Sequence, residues 1–142
     1  MTQSIPAKTA TVPAMKLELV PVPVTDIDRA KAFYVEKIGF KLDHDVEHNP
    51  GMRVVQLTPP GSACSIVIGA GLGEISEMQP GSVKALHLVV ENINASRDAL
   101  VASGVEVGKV IDMGGILFAR FADPDGNSWL LQEIPPRFRT TS

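Results

Sequence analysis

Two short turns rich in proline and glycine, each between two apolar segments, constrain the fold of this chain most. The second turn, Asp123–Asn127, reads DPDGN and separates the apolar run ending at residue 122 from the run starting at residue 128. The first turn, Thr58–Ser62, reads TPPGS in a similar setting. Proline presets one turn dihedral, and glycine adopts the conformation that side chains disfavour. Each turn therefore predicts a β-hairpin.

The residues before the first hairpin predict a strand and a helix. Pro21 and Pro23 cannot donate to a ladder, so the first strand is predicted either at a sheet edge or with an interrupted ladder. Thr25 is the predicted N-cap of a helix with one apolar face, and Gly39 is its predicted C-cap. Residues 48–51 are predicted to form a loop. The predicted strands of this β-α-β-β-β unit are residues 15–24, 40–46, 53–57 and 63–68.

The second half of the chain repeats this order, which indicates a duplicated unit. Asn92 is the predicted N-cap of the second helix, and Gly104 follows its end. The strands are predicted over residues 85–90 and 105–111 and in the hairpin 116–134. The offset between the units is 90 − 24 = 66 in the first strands and 126 − 61 = 65 in the hairpins. Two such units are predicted to pack around a pseudo-twofold axis, with each sheet curling around a ligand-sized cavity.

The length of 142 residues and the 44% apolar content favour one folded domain. The predicted organisation is a flexible N-terminal arm, one domain of two modules joined by a connector, and a C-terminal tail. These segments are residues 1–14, the domain 15–134 with modules 15–69 and 83–134 and connector 70–82, and residues 135–142.

Charge and cysteine content exclude several classes of protein. Lys and Arg number 13 against 16 Asp and Glu, which argues against a nucleic-acid partner. No apolar run is long enough to span a bilayer, and the first residues do not resemble a secretory signal. A cytoplasmic protein is therefore expected. A single cysteine, Cys64, excludes an intramolecular disulfide and predicts a small core residue.

Several short motifs carry a resemblance to a known family. They are Val24-Thr25-Asp26, Gly39-Phe40, Val90-Glu91-Asn92, Gly104-Val105 and above all Asp123-Pro124-Asp125-Gly126-Asn127. Paired βαβββ units with these motifs resemble the vicinal oxygen chelate superfamily, which includes glyoxalase I, extradiol dioxygenases and bleomycin-resistance proteins. The resemblance covers residues 15–134 and implies an α+β fold and a homodimer.

Most enzymes of that superfamily bind one divalent metal through the first and last strands of each unit. Carried over to this chain, the ligand positions are Leu19, Ala85, Leu130 and Ser65. Leucine and alanine have no lone pair for a cation, and serine is a poor lone ligand. No metal and no cofactor are therefore expected.

His87 lies two residues after Ala85 and is predicted on the same sheet face, facing the cavity. It is either a ligand-contacting or acid–base residue, or a core histidine whose nitrogens bond to the backbone. The predicted ligand-binding residues are Leu19, Gln56, Ser65, Ala85, His87, Leu130 and Gln132.

A largely apolar lining with few polar groups favours binding of a small, largely apolar molecule without a metal, similar to bleomycin-resistance proteins. The alternative is an enzyme of the superfamily. It would be a cofactor-free isomerase or cyclase with His87 as the base, or a metal-dependent lyase or dioxygenase with other ligands. A third interpretation is a structural dimer with a filled cavity.

Overall fold

The computed structural model describes residues 11–138 and contains two four-stranded mixed sheets, each accompanied by a helix. The predicted α+β fold of two βαβββ units is confirmed. The first sheet has the order β1-β4-β3-β2, with β1 parallel to β4. Its elements are β1 (Leu19–Pro21), α1 (Ile27–Ala32) continued by a π-helical turn (Phe33–Ile38), β2 (Lys41–Asn49), β3 (Met52–Thr58) and β4 (Ser65–Ala70).

The second sheet has the equivalent order β5-β8-β7-β6, with β5 parallel to β8. Its elements are β5 (Leu86–Val89), α2 (Ile93–Ala102), β6 (Ile111–Met113), β7 (Ile116–Ala122) and β8 (Ser128–Glu133). Short 3-10 helices occur at Gly73–Glu77 and Pro136–Phe138. None of the helices in residues 11–138 has the length and apolar composition that a membrane crossing requires.

Both units contribute to one hydrophobic core, which lies between the two sheets and includes both helices. Leu57 and Ile68 of the first sheet and Phe121 and Leu131 of the second are almost fully buried in it. Since successive strand residues point to opposite faces, each sheet also has a face turned away from this core, which we call its outer face.

A buried hydrogen-bonded network joins the two units across this core. The Tyr34 hydroxyl donates to Asp123 Oδ2 at 2.8 Å and accepts from the Trp129 indole N–H at 3.0 Å. Asn127 Nδ2 donates to Asp123 Oδ2 and to the Pro23 carbonyl, both at 2.8 Å. Burial, and next the nearby Asp123 carboxylate, raise the pKa of Tyr34 far above its ordinary value, so the phenol stays protonated. The geometry of the DPDGN turn thus depends on Tyr34 and Pro23 of the first unit.

The caps of the first helix differ in part from the sequence-based prediction. The N-cap is Asp26, whose carboxylate accepts from the Arg29 amide at 3.0 Å. Thr25 instead donates its hydroxyl to Asp125 of the second unit at 2.7 Å, a contact that sequence spacing does not reveal. The predicted C-cap is confirmed, because Gly39 follows the helix with φ +87°.

Three strand predictions also require correction. β1 is an edge strand, one of the two predicted arrangements, but has only three residues, because the prolines around it leave few N–H groups for a ladder. β2 extends to Asn49, so His48 lies in a strand rather than a loop. The strand predicted over residues 105–111 starts only at Ile111, since the Arg97 side chain donates to the carbonyls of Val107 and Gly108.

The sequence repeat equated Ser65 of β4 with Leu130 of β8. The hydrogen-bonding registers of the two sheets align these strands differently. Leu19 lies opposite Ser65 in the first sheet. In the second sheet the same register places Ala85 level with Ser128, whose hydroxyl accepts from the Ala85 amide at 2.8 Å. Since Leu19 and Ala85 are equivalent, the offset between the last strands is 128 − 65 = 63 rather than 65.

An ion-pair network connects α1 to strands β2 and β3 and predicts a loss of stability in acid. Asp45 accepts two hydrogen bonds from Arg53, at 3.0 and 2.9 Å, and one from Lys31 at 2.7 Å. The bonds from Arg53, then that from Lys31, hold the pKa of Asp45 well below its ordinary value. The network therefore contributes stability above pH ~4, and this contribution is lost as the pH falls further.

We expect Asp45→Asn to cost about 1 kcal/mol of unfolding free energy at neutral pH and less near pH ~2, because protonation of Asp45 then favours the unfolded wild type and removes part of the contribution. Urea unfolding at the two pH values measures this difference. Asp98→Asn, at an exposed helix position, is the control. An Asp45→Asn penalty that does not depend on pH would contradict the assignment.

Candidate functional site

Three adjoining cavities surround the loop of the first hairpin, and Pro59 lines all of them. We call them the apolar, middle and polar cavities. Their volumes are about 310 Å³, 220 Å³ and 370 Å³ respectively. The apolar and polar cavities are at the lower end of the size range of ligand pockets, and the middle cavity is below it.

The middle cavity brings together predicted ligand-binding residues from the two units. Ser65 of β4 and His87 of β5 both line it. The edge strands β1 and β5 contribute to its walls, and Trp129 also lines it. The remaining lining is mostly apolar and consists of Leu17, Val20, Pro59, Ser62, Cys64, Ile66, Leu86 and Leu88. In this cavity the predicted residues Ser65 and His87, from the two sheets, meet.

The His87 ring is held in one orientation by its surroundings. Its Nδ1 lies 2.7 Å from the Ala85 carbonyl oxygen, and Phe118 contacts the ring edge-on with centroids 5.8 Å apart. A carbonyl can only accept, so Nδ1 carries the proton and Nε2 of the neutral ring keeps its lone pair. Ala85 has φ +59°, a strained value for a residue other than glycine. His87 is thus an exposed, oriented acceptor or base.

The polar cavity lies on the other side of Ser65. Its polar lining comes from β2, β3 and β4, and its apolar lining comes from the hairpin loop. Gln56 Nε2 lies 3.2 Å from Ser65 Oγ, which is 2.6 Å from Thr58 Oγ1. Thr58 in turn bonds to Asp43. Sequence reasoning identified Gln56 and Ser65 but not Thr58 or Asp43, because the strand register that joins them was not known.

The apolar cavity is formed by the hairpin loop against α2 and β5. Pro59 and Pro60 lie on one side, and Leu88, Leu100 and Leu131 are among the residues on the other. The sequence offered a signal for this part, the two consecutive prolines of the turn, which were interpreted as turn residues only. They also present a rigid apolar surface to the second unit.

The other predicted site residues lie outside these cavities. Leu19 is on the outer face of the first sheet beside Ser65, and Leu130 and Gln132 share the outer face of the second sheet with His87. Ala85 precedes β5. A role for these four residues in ligand binding stays a prediction.

The residues at the superfamily's metal positions do not fit a metal ion. When β4 and β8 are aligned by their hydrogen-bonding registers, Val67 rather than Ser65 is equivalent to Leu130. The four metal-ligand positions are then Leu19, Ala85, Leu130 and Val67. None of these side chains can donate a lone pair to a cation. Among residues 11–138, no group of three or more His, Cys, Asp or Glu side chains is arranged to hold a metal.

Comparison with known proteins identifies the family. Residues 16–131 match the Glyoxalase/Bleomycin resistance protein/Dioxygenase superfamily. The chain belongs to this superfamily. The resemblance inferred from the turn and helix motifs is therefore confirmed.

Solved structures of the superfamily share the fold along nearly their whole length. TnmS3, an antibiotic binding protein from Streptomyces sp. CB03234, is 32% identical with a TM-score of 0.77, over 87% of this chain and 99% of that one. A glyoxalase/bleomycin resistance protein from the same organism is 35% identical with a TM-score of 0.70, over 82% and 98%. The uncharacterized protein YetH of Bacillus subtilis (strain 168) is 31% identical over 118 residues, 80% of this chain and 94% of YetH.

Proposed function

We propose that this superfamily member binds a small, largely apolar molecule in the cavities around the first hairpin loop, without a metal ion. The observation that carries the proposal is the meeting of Ser65 and His87, from different units, in one mostly apolar cavity. Apolar walls with a few oriented polar groups are typical of small-molecule sites. The similarity to TnmS3, an antibiotic binding protein, supports an antibiotic-like molecule as the class of ligand.

The proposed functional unit is a homodimer. The outer face of the second sheet exposes Val89, Ile111 and Met113, with 62%, 58% and 64% of their surface accessible. A cluster of exposed aliphatic side chains on one sheet face is typical of an interaction surface. A second copy of the chain would cover this face, and sedimentation equilibrium tests the stoichiometry.

Cavity filling provides the main test of ligand binding. Cys64 lines the middle cavity and its thiol makes only a weak contact with the Ser65 carbonyl, at 3.6 Å. We expect Cys64→Phe to fill the cavity and weaken binding by about tenfold or more, because the ligand loses its apolar contacts. A thermal-shift panel of aromatic antibiotics, run in EDTA, measures the stabilisation of wild type and variant.

Val46→Phe is the matched control, because this residue lies on β2, outside the lining of the three cavities. The control should keep the wild-type ligand response. Equal stabilisation of Cys64→Phe and wild type by the same compounds would place the site elsewhere. A panel in which no compound stabilises the wild type would contradict the proposed function.

The orientation of His87 favours one second candidate, a cofactor-free isomerase or cyclase with this residue as general base. Its Nδ1 bond to the Ala85 carbonyl leaves Nε2 free to accept a proton. For a binding protein, His87→Ala should change affinity by less than about tenfold. For the enzyme it should retain binding and lower the turnover of a bound compound by about a hundredfold or more. Product analysis by mass spectrometry distinguishes the two.

A further inference from the structure

A row of polar side chains crosses the first sheet on its outer face and ends in two carboxylates. We propose that this row binds a hydrogen-bond-donating cation, of the class of a protonated amine, at one end of the ligand. The inference rests on the proposed function and adds the chemical class of the ligand's polar group. The row consists of Glu18, Ser65, Gln56, Thr58 and Asp43.

Hydrogen-bond counting fixes the direction of this row. Asp43 and Glu18 are carboxylates, which can only accept when ionised. Thr58 must therefore donate its single proton to Asp43 and accept that of Ser65, which lies 2.6 Å away. Gln56 Nε2 then donates one proton to Ser65 Oγ, at 3.2 Å, and the other to Glu18 Oε2, at 3.3 Å.

All these donors are consumed within the row, but its acceptors are not. One oxygen each of Asp43 and Glu18 has no hydrogen-bond partner among residues 11–138. The row therefore presents only acceptor capacity and negative charge to a ligand. A positively charged ligand group that donates hydrogen bonds is complementary to both the free acceptors and the negative charge. A carboxylate of the ligand is complementary to neither of these two features.

The backbone of β2 directs Asp43 into this row. The pairing of β2 with β3 shifts between Leu42 and His44, which leaves Asp43 as the extra residue of a β-bulge. Lys41 pairs with Thr58, and Asp43 lies two residues further along β2, so strand alternation places Asp43 on the same face as Thr58 and Gln56.

The polar cavity next to the row fits an amine attached to an apolar group. Asp43, Thr58 and Ser65 line its polar part, and Pro59 and Pro60 line its apolar part. Ser65 and Pro59 also line the middle cavity. An apolar skeleton in the middle cavity can thus extend a terminal amine toward Asp43. Lys41 lines the polar cavity too and would instead attract an anionic ligand, so the test compares both charges.

Three probes of equal skeleton and different charge test the inference: naphthylmethylamine, neutral naphthylmethanol and anionic naphthoate. Calorimetric titration at neutral pH in EDTA measures their affinities for the full chain. We expect the amine to bind about tenfold more tightly than naphthoate, because each charged hydrogen bond contributes a difference of this size. Asp43→Asn should remove most of the amine's advantage and leave the affinity for naphthylmethanol within about twofold.

Two further variants keep the result interpretable. Glu18→Gln removes the other carboxylate without changing side-chain size. It is the test variant if circular dichroism shows that Asp43→Asn does not fold. Asp98→Asn, on α2, removes one negative charge away from the row and should leave all three affinities unchanged.

The outcomes separate the inference from the proposed function. If all three probes bind with similar affinity, or naphthoate binds best, the amine preference is wrong while apolar binding stands. If the amine preference persists in both Asp43→Asn and Glu18→Gln, the row is not its source. If none of the probes binds and the antibiotic panel also gives no stabilisation, the proposed function fails together with the inference.

Discussion

Asp123→Ala is expected to lower the free energy of unfolding by about 3–5 kcal/mol, the largest effect of any single substitution considered for this chain. The carboxylate accepts from the Tyr34 hydroxyl, from Asn127 Nδ2 and from the backbone amides of Asp125 and Asn127. Only 5% of Asp123 is exposed, so water cannot replace these bonds. Alanine would leave several buried donors without their acceptor and would loosen both the turn and the packing of the two units.

Urea unfolding followed by circular dichroism measures this loss, with Asp98→Ala as the exposed control. Tyr34→Phe should cost less, about 1–3 kcal/mol, because Asp123 keeps its other donors. Tyr34→Phe should also remove a pH dependence. The raised pKa of Tyr34 means that its stabilising contribution is present below pH ~10 and is lost as the pH rises further. A loss below about 1 kcal/mol for Asp123→Ala would show that the network does not hold the units together.

Gly81→Ala is expected to cost about 2–4 kcal/mol, because this glycine combines a positive φ with a close backbone approach. Its φ is +80°, and a Cβ built there would lie 2.2 Å from the Asp125 carbonyl oxygen. Its amide also donates to the Pro23 carbonyl of the first unit at 3.2 Å. The connector must therefore move away from the DPDGN turn to accept a side chain.

Gly61→Ala is the matched control for this substitution. Gly61 has the same φ of +80°, but a Cβ there would meet nothing within 4 Å. Gly61→Ala should lower the free energy of unfolding only by the cost of a positive φ for alanine, about 1 kcal/mol. Thermal unfolding of both variants separates the strain of a positive φ from the steric effect. Equal losses would mean that the connector adapts to the added methyl group without disturbing the turn.

The duplicated βαβββ order was predictable because each unit has its own proline and glycine residues at turns and helix ends. The prolines near β1, the C-cap Gly39 and the two hairpin turns are local signals with a known conformational cause. The motifs that carry the resemblance to the superfamily lie at these same turns and helix ends.

The candidate site was harder to predict, since it depends on contacts between strands. Asp43 and Thr58 are 15 residues apart and meet because the β2–β3 register pairs Lys41 with Thr58. Thr25 could not be excluded as an N-cap until its bond to Asp125, 100 residues away, was known. The similar proline and glycine positions of the two hairpin turns also concealed the two-residue difference in the last-strand offset. Local sequence carries no information on these long-range alignments.

The central claim is that a small apolar molecule binds between Ser65 and His87 without a metal ion. Trp129 is the single tryptophan of the chain and lines the same cavity, so its indole N–H gives one distinct signal in a proton–nitrogen correlation spectrum. The decisive measurement is a titration with naphthylmethanol in EDTA. We predict saturable shifts of the Trp129 indole and of the Ser65 and His87 amides, equal with and without EDTA. No saturable shift at these groups, or shifts that require added Zn²⁺, would contradict the account.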